Sequence, residues 1–209
     1  MKSLKMLGCA VMAAMVVTAF AGAGSASASV LCKTQTNPCT SKWTKGTTLE
    51  FGLQAGTSAL WKEKSSGNTL KTCTNATIKG SISVEGNAFE NVKLSVPGSG
   101  FVWSSCTTNT ETLKGGEIEI KSITATTNGT VILKGFEFAT EFILGKCSYG
   151  MGASGTDLGT LTSSSTGDAV IDGNALLENS NGICCPEVVW VEQFTLKSPS
   201  GVPLYVEPS

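Results

Sequence analysis

Apolar and polar residues alternate along most of the chain, in short runs that Gly, Asn and Ser interrupt. A repeat of two with many β-branched and aromatic residues is typical of half-buried β-strands. The pattern predicts strands at 47–53, 76–86, 91–96, 117–127, 130–140, 141–149, 168–179, 188–197 and 202–206. Residues after 28 have no convincing helical period, so the sequence predicts an all-β fold, an antiparallel β-sandwich or partly closed barrel of roughly ten short strands.

Turn residues separate these strands. The clearest hairpin is ITATTNGTVIL, in which Asn128-Gly129 is expected to supply the positive φ angles of a tight turn. The polar run 154–169 is the best candidate for a domain boundary, but it lacks proline, and its spaced Leu158 and Leu161 favour a strand and a loop. We therefore predict one β-sandwich domain over residues 29–209.

Residues 1–28 have the layout of a secretory signal peptide. Two lysines flank the start of an apolar run, and small residues end the segment at Ala26-Ser27-Ala28. We predict cleavage after Ala28 and a secreted, extracellular protein. A lipoprotein anchor is the alternative, but Cys9 precedes most of the apolar run, and Cys32 follows a bulky Leu31 where a small residue is expected. Later apolar runs are too short to span a membrane, so no membrane span is expected after cleavage.

Cleavage removes Cys9 and leaves seven cysteines, which in an exported chain usually form disulfides. Six of them allow three bridges. The short spacing between Cys32 and Cys39, with a proline turn between them, predicts a bridge that closes a small loop. Cys73 and Cys147 lie in strand-like segments and are predicted to bond to each other between strands.

Cys106 is then expected to pair with one of two adjacent cysteines, Cys184 and Cys185. In the simplest interpretation Cys184 bonds to Cys106 and Cys185 is the free thiol. A bond between the neighbours, an intermolecular link through the odd cysteine, and a metal or redox site are the alternatives. A redox thiolate is usually found in Cys-x-x-Cys at a helix N-terminus or beside a cation, whereas this pair precedes a strand.

The chain contains no histidine, and all of its 15 basic residues are lysines. Without histidine, Ser-His-Asp and Cys-His nucleophile systems and His-ligated zinc are impossible. Without arginine, the fork that grips phosphates and carboxylates in two places is missing. Removal of Lys2 and Lys5 leaves 13 lysines against 16 acidic residues, a net charge of about −3, which argues against nucleic acid as a partner. We predict no cofactor and no metal.

Paired carboxylates and aromatic side chains are the remaining candidates for chemistry. Glu117 with Glu119, and Glu137 with Glu141, alternate with apolar residues, which is typical of the solvent-facing side of a strand. We therefore predict no catalytic residues. Among the tryptophans, Trp190 has the pattern of a core residue, and Trp61 is the best candidate for an exposed contact with a sugar ring.

Three segments together suggest a family. They are VLCKTQTNPC after the signal, CSYGMGASGTDLGTLT at 147–162, and the ending CCPEVVWVEQFTLKSPSGVPLYV. The chain resembles a group of uncharacterised secreted proteins of actinobacteria, in which a Cys-x6-Cys loop opens the mature chain and an LYV strand closes it. The resemblance implies a secreted, disulfide-containing β-rich protein. Members of the group have a single cysteine before the last hairpin, where this chain has two.

Two classes of function follow from the sequence. The first is a non-enzymatic extracellular β-sandwich protein with a structural, surface or adhesion role and an extracellular or cell-surface partner. The second is a small extracellular binding module for polysaccharide or for a small apolar ligand.

Overall fold

The computed structural model describes residues 28–123, 126–142, 145–179 and 185–209. The predicted signal peptide, except for Ala28, lies outside these residues, and so does Cys184. The described residues form strands and two short 3-10 helices, at 98–100 and 199–201. The strands are β1 (Ser29–Cys32), β2 (Thr48–Leu53), β3 (Ala59–Glu63), β4 (Thr69–Val84), β5 (Val92–Val96), β6 (Phe101–Cys106), β7 (Thr110–Lys114), β8 (Gly116–Ser122), β9 (Gly129–Lys134), β10 (Glu137–Phe142), β11 (Gly145–Gly150), β12 (Thr156–Thr162), β13 (Asp168–Asn179), β14 (Val188–Lys197) and β15 (Tyr205–Pro208).

The all-β class predicted from the alternating pattern is confirmed. β14 is the clearest case, because each alternate residue from Val188 to Leu196 is buried and the residues between them are partly exposed. Successive side chains of a strand point to opposite faces, so this pattern requires one covered and one wetted face. The strands enclose that covered face in a barrel, one of the two architectures that the sequence predicts.

The barrel has eight positions around its circumference, all connected in an antiparallel up-and-down order. Three positions are held by the single strands β4, β13 and β14. The other five are each held by two consecutive strands that continue one another, namely β2 with β3, β5 with β6, β7 with β8, β9 with β10, and β11 with β12. β14 pairs with β13 on one side and with β2 and β3 on the other, which closes the ring.

The two consecutive strands that share one position of the barrel are separated where the backbone bends or comes close to a neighbouring segment. A 3-10 turn at 98–100 separates β5 from β6. Gly115 separates β7 from β8, and a Cβ atom there would lie 2.1 Å from the carbonyl oxygen of Val96, so only glycine fits. Among the described pairings, β6 and β7 share no backbone ladder. A side-chain bond joins them instead, because the Thr112 hydroxyl of β7 donates to the Phe101 carbonyl of β6 at 2.7 Å.

The hairpin predicted at 123–129 is present, but the prediction of a tight turn at Asn128-Gly129 is wrong. Ser122 at the end of β8 pairs with Gly129 at the start of β9, so residues 123–128 form the connection. Gly129 therefore belongs to β9, and its φ angle is not positive. Thr126 and Thr127 before it belong to the loop and not to a strand.

A separate two-stranded ribbon covers one end of the barrel. β1 pairs antiparallel with β15, from Ser29 opposite Pro208 to Cys32 opposite Tyr205. The Ser29 hydroxyl donates to the Ile120 carbonyl of β8, and Val206 packs in the main core. The two ends of the described chain are thereby fixed to the barrel.

Three disulfides staple the fold. Cys32 bonds to Cys39, as their spacing predicts. The predicted Cys73–Cys147 pair is wrong, because Cys73 bonds to Cys106, which lies opposite it in the β4–β6 ladder. The prediction that Cys185 is the free thiol and that Cys106 pairs with Cys184 or Cys185 is also wrong.

Cys185 instead bonds to Cys147 of β11. Cys185 directly precedes the loop that leads into β14, so this bridge ties that loop to the barrel wall beside Tyr149, whose hydroxyl donates to the Pro186 carbonyl at 3.0 Å.

Peptide mapping under non-reducing conditions is expected to recover the three bridges as described, and their removal is expected to have unequal effects on stability. The Cys73–Cys106 bridge spans 33 residues and the Cys32–Cys39 bridge spans 7. Loop entropy then predicts a loss of about 4 kcal/mol in the free energy of unfolding for the C73S/C106S variant and about 2.5 kcal/mol for C32S/C39S. Chemical denaturation measures both. A peptide that joins Cys73 to Cys147 would contradict the topology.

Candidate functional site

The interior of the barrel is filled with aromatic side chains. Trp61 is fully buried, so the prediction that it is an exposed sugar contact is wrong. Its ring centroid lies 5.7 Å from that of Trp103 and 5.5 Å from that of Tyr149, in edge-to-face geometry. Trp190 lies 5.2 Å from Trp103. These centroid distances are those of rings in direct contact. Trp61 is internal because β3 pairs with β14, with Trp61 next to Trp190 in the ladder, and this pairing closes the barrel. Local sequence does not reveal that closure.

A carboxyl group lies among these rings. Glu192 of β14 is on the same face as Trp190 and Phe194 and is 3% exposed. Neither of its carboxyl oxygens has a hydrogen-bond partner among the described residues. Burial raises the pKa of Glu192 well above its usual range, because an apolar interior disfavours the charged form. The neutral acid is therefore the form that the barrel interior favours.

We expect Glu192 to make the protein less stable as pH rises. Its folded-state pKa is raised, so above about pH 4.3 the unfolded chain releases a proton that the folded chain keeps, and the free energy of unfolding falls by about 1.4 kcal/mol per pH unit until the folded-state pKa is reached. Glu192→Gln should remove this component.

Urea denaturation at pH 5, 6 and 7 measures the difference between variant and parent. Glu187→Gln is the matched control, because that side chain is exposed and pairs with Lys64 at 3.0 Å. Equal pH slopes for the parent and Glu192→Gln would show that Glu192 is already ionised in the folded protein.

A buried lysine lies beside the aromatic core, near the start of β4. Lys71 of β4 points inward, and its Nζ donates to the carbonyls of Thr108 and Asn109 at 2.6 and 3.0 Å and to the Thr140 hydroxyl at 2.7 Å. Burial lowers the pKa of Lys71 to about 8, and the negative charge of Glu141 opposes that shift. All three protons of the ammonium group are used, so this lysine anchors the loop between β6 and β7.

A shallow groove of about 250 Å³ lies above Lys71, between β7, β10 and β11. Glu111 and Lys146 form an ion pair across it, and both side chains are more than half exposed. An exposed pair of this kind contributes little to stability.

The larger groove, about 540 Å³, lies at the opposite end of the barrel, beside the β1–β15 ribbon. We call it the amide groove, and it is lined by Gln35, Asn37, residues 126–128, Glu207 and Pro208. Among the described residues its side chains are amides, hydroxyls, one carboxyl and one proline ring, and none of them is a lysine. The volume lies within the range of about 300–1,000 Å³ that is usual for small-molecule sites.

Three separate parts of the chain build the amide groove, and each is held in place. The Cys32–Cys39 bridge closes the loop that carries Gln35 and Asn37. The carbonyl of Thr127 accepts a hydrogen bond from the Val206 backbone at 3.1 Å, which ties the hairpin loop to β15. The Asn128 side-chain oxygen accepts from the backbone of Ser163 at 3.1 Å. The groove is therefore preformed.

Glu207 lies at the base of the amide groove. Val206 faces the core, so its neighbour in β15 faces the opposite way, toward the groove. Glu207 is 4% exposed, and its Oε1 has no hydrogen-bond partner among the described residues. Burial raises its pKa above the usual value. Sequence analysis missed this residue, because a single glutamate near the end of the chain carries no local signal.

The two acidic pairs identified in the sequence lie on the barrel wall. The expectation that both members of each pair face solvent is wrong for Glu119, which is 6% exposed. Burial alone would raise the pKa of Glu119, but hydrogen bonds from Lys134 and Asn91 outweigh it and lower the pKa. Glu137 is exposed and pairs with Lys114 at 3.4 Å.

No group of three or more cysteine, aspartate or glutamate residues in the described segments could hold a metal ion. The same segments contain no helix with the length and apolarity that a membrane crossing requires.

Comparison with known proteins adds no further assignment, since no family model, curated protein or solved structure matches this chain. The resemblance to secreted actinobacterial proteins therefore stays a prediction from its three short segments.

Proposed function

We propose that this is a non-enzymatic extracellular β-barrel protein with a structural, surface or adhesion role. The observation that carries the proposal is the filled interior. Tryptophan, tyrosine and phenylalanine rings in mutual contact occupy the space that an eight-stranded barrel could otherwise offer to a ligand. Recognition is therefore left to the outer face and to the loops at the two ends.

The disulfides support an extracellular location. Three bridges within the described residues indicate a protein that folds in an oxidising, non-cytoplasmic compartment. The signal-peptide layout of residues 1–28 adds secretion to this proposal. Polar residues on the outer face of the long strand β4, such as Thr74, Asn75 and Lys79, suit a surface in contact with water.

The acidic pairs do not favour hydrolysis. A glycosidase pair needs one carboxyl with a raised pKa that protonates the leaving group. The lowered pKa of Glu119 keeps that side chain ionised, and the lysine that binds it occupies the carboxylate. Glu137 is likewise paired with a lysine on the exposed outer face.

The second class of function, a small extracellular binding module, includes two kinds of ligand. A binding module for a small apolar ligand would require an empty apolar cavity, and the packed rings oppose that arrangement. A module for polysaccharide would use an outer groove, which the structure offers.

A substrate screen tests the non-enzymatic proposal. The purified protein, with its disulfides intact, is incubated with chromogenic glycosides, esters and peptides, and no turnover above the buffer rate is expected. Turnover that Glu117→Gln or Glu137→Gln abolishes, while Glu187→Gln preserves it, would overturn the proposal.

A further inference from the structure

We propose that the outer wall formed by β3, β14 and β13 is the interface through which two copies of this protein form a symmetric dimer. Four aliphatic side chains point out of the barrel on this wall, and we call them the outer patch: Leu60, Val189, Val191 and Leu176. Leu176 is 42% exposed, and the other three are partly exposed.

The strand register makes the outer patch continuous. In the two ladders of β14, Val189 lies opposite Leu176 and Val191 lies opposite Leu60. Val189 and Val191 are two residues apart in one strand, so their side chains leave the same face of the sheet. Residues directly opposite each other have Cβ atoms about 4.5–5.5 Å apart, so the four side chains form one surface. A contiguous apolar surface on the outside of a protein typically marks an interaction site.

Two charges beside the outer patch make it self-complementary. Lys62 lies on the β3 side, opposite Val189, and Asp172 lies on the β13 side, opposite Gln193. Val191 is midway between these two positions along β14, so the two charges stand at opposite corners around it. Neither charge has an ion-pair partner among the described residues.

This arrangement fits a second copy of the same chain. A two-fold axis that passes through Val191 in the plane of the interface can bring Lys62 of each copy to Asp172 of the other, with the two outer patches face to face. Each copy then uses the same surface, as a two-fold interface requires. Thr72 and Asn174, the ladder neighbours of Leu60 and Val191, supply polar side chains around the apolar centre.

Sedimentation velocity of the purified protein, with its disulfides intact, tests the proposal at concentrations from about 1 to about 100 µM in about 0.15 M salt. A monomer–dimer equilibrium is expected. Val191→Asp should raise the dimer dissociation constant at least about 100-fold, because two like charges would face each other in the interface. Val102→Asp is the matched control, since Val102 is 52% exposed on β6, outside the outer patch, and this variant should dimerise as the parent does.

Exchange of the two charges tests the two-fold arrangement with variants whose folding is not at risk, because both side chains lie on the outer face. Lys62→Asp and Asp172→Lys should each raise the dissociation constant at least about threefold, since each removes two symmetry-related ion pairs. The double variant, Lys62→Asp with Asp172→Lys, should restore the dissociation constant of the parent, because the charges have only changed places.

A monomer at every concentration, a dimer that Val191→Asp leaves intact, or an equal weakening by Val102→Asp would overturn the proposal. A double variant that dimerises no more tightly than the two single variants would overturn it as well, because the charges would then not meet across the two-fold axis. Far-UV circular dichroism equal to that of the parent confirms that each variant is folded.

Discussion

Ring-to-ring packing inside a closed barrel is the interaction on which the rest of this structure depends. β14 carries Trp190, Glu192 and Phe194 on its inner face, and it closes the ring against β13 and against β2 and β3. Trp61 is the register partner of Trp190 in the β3–β14 ladder at that closure. An eight-stranded barrel has an interior only wide enough for side chains or one small ligand. Because these rings fill it, the inside is core, and the outer face and the end loops are the surface open to a partner.

Different structures cover the two ends of the barrel, and the candidate site lies at only one of them. At one end Lys71 donates two of its protons to carbonyls of the loop between β6 and β7 and the third to Thr140 of β10, so that loop is tied to the barrel. At the other end the β1–β15 ribbon and a disulfide loop leave a polar groove with an unpartnered Glu207 acceptor at its base. A fixed scaffold that carries rigid loops is the usual arrangement of a binding protein.

Local pattern predicted the strands that alternate without interruption. The bounds of β13 and β14 agree with the predicted runs, because one face stays buried from Ala169 to Leu177 in β13 and from Val188 to Leu196 in β14. β6 and β7 were missed, since FVWSSC and TETLK are short, rich in Ser and Thr, and set apart by glycine. The predicted partners of Cys73 and Cys106 were wrong for the same reason, because Cys106 can be placed opposite Cys73 only once β6 is known to be a strand.

The candidate site could not be predicted at all from local sequence. Gln35, Asn128 and Glu207 are far apart in the chain, and only barrel closure and the terminal ribbon bring them to one groove. The burial of Trp61 and Glu192 also depends on closure, since the same alternation would occur in an open sheet with a wetted face.

An apolar-probe titration tests the filled interior most directly. 1-Aminoanthracene is titrated into the folded protein, with a Phe89→Ser variant as the control for binding to the most exposed large apolar side chain, which is 94% exposed. A filled barrel predicts no saturable binding in the Phe89→Ser variant and no change in tryptophan fluorescence when a fatty acid is added. Stoichiometric binding that a fatty acid displaces, with quenching of the tryptophans, would show that the barrel interior is a ligand cavity.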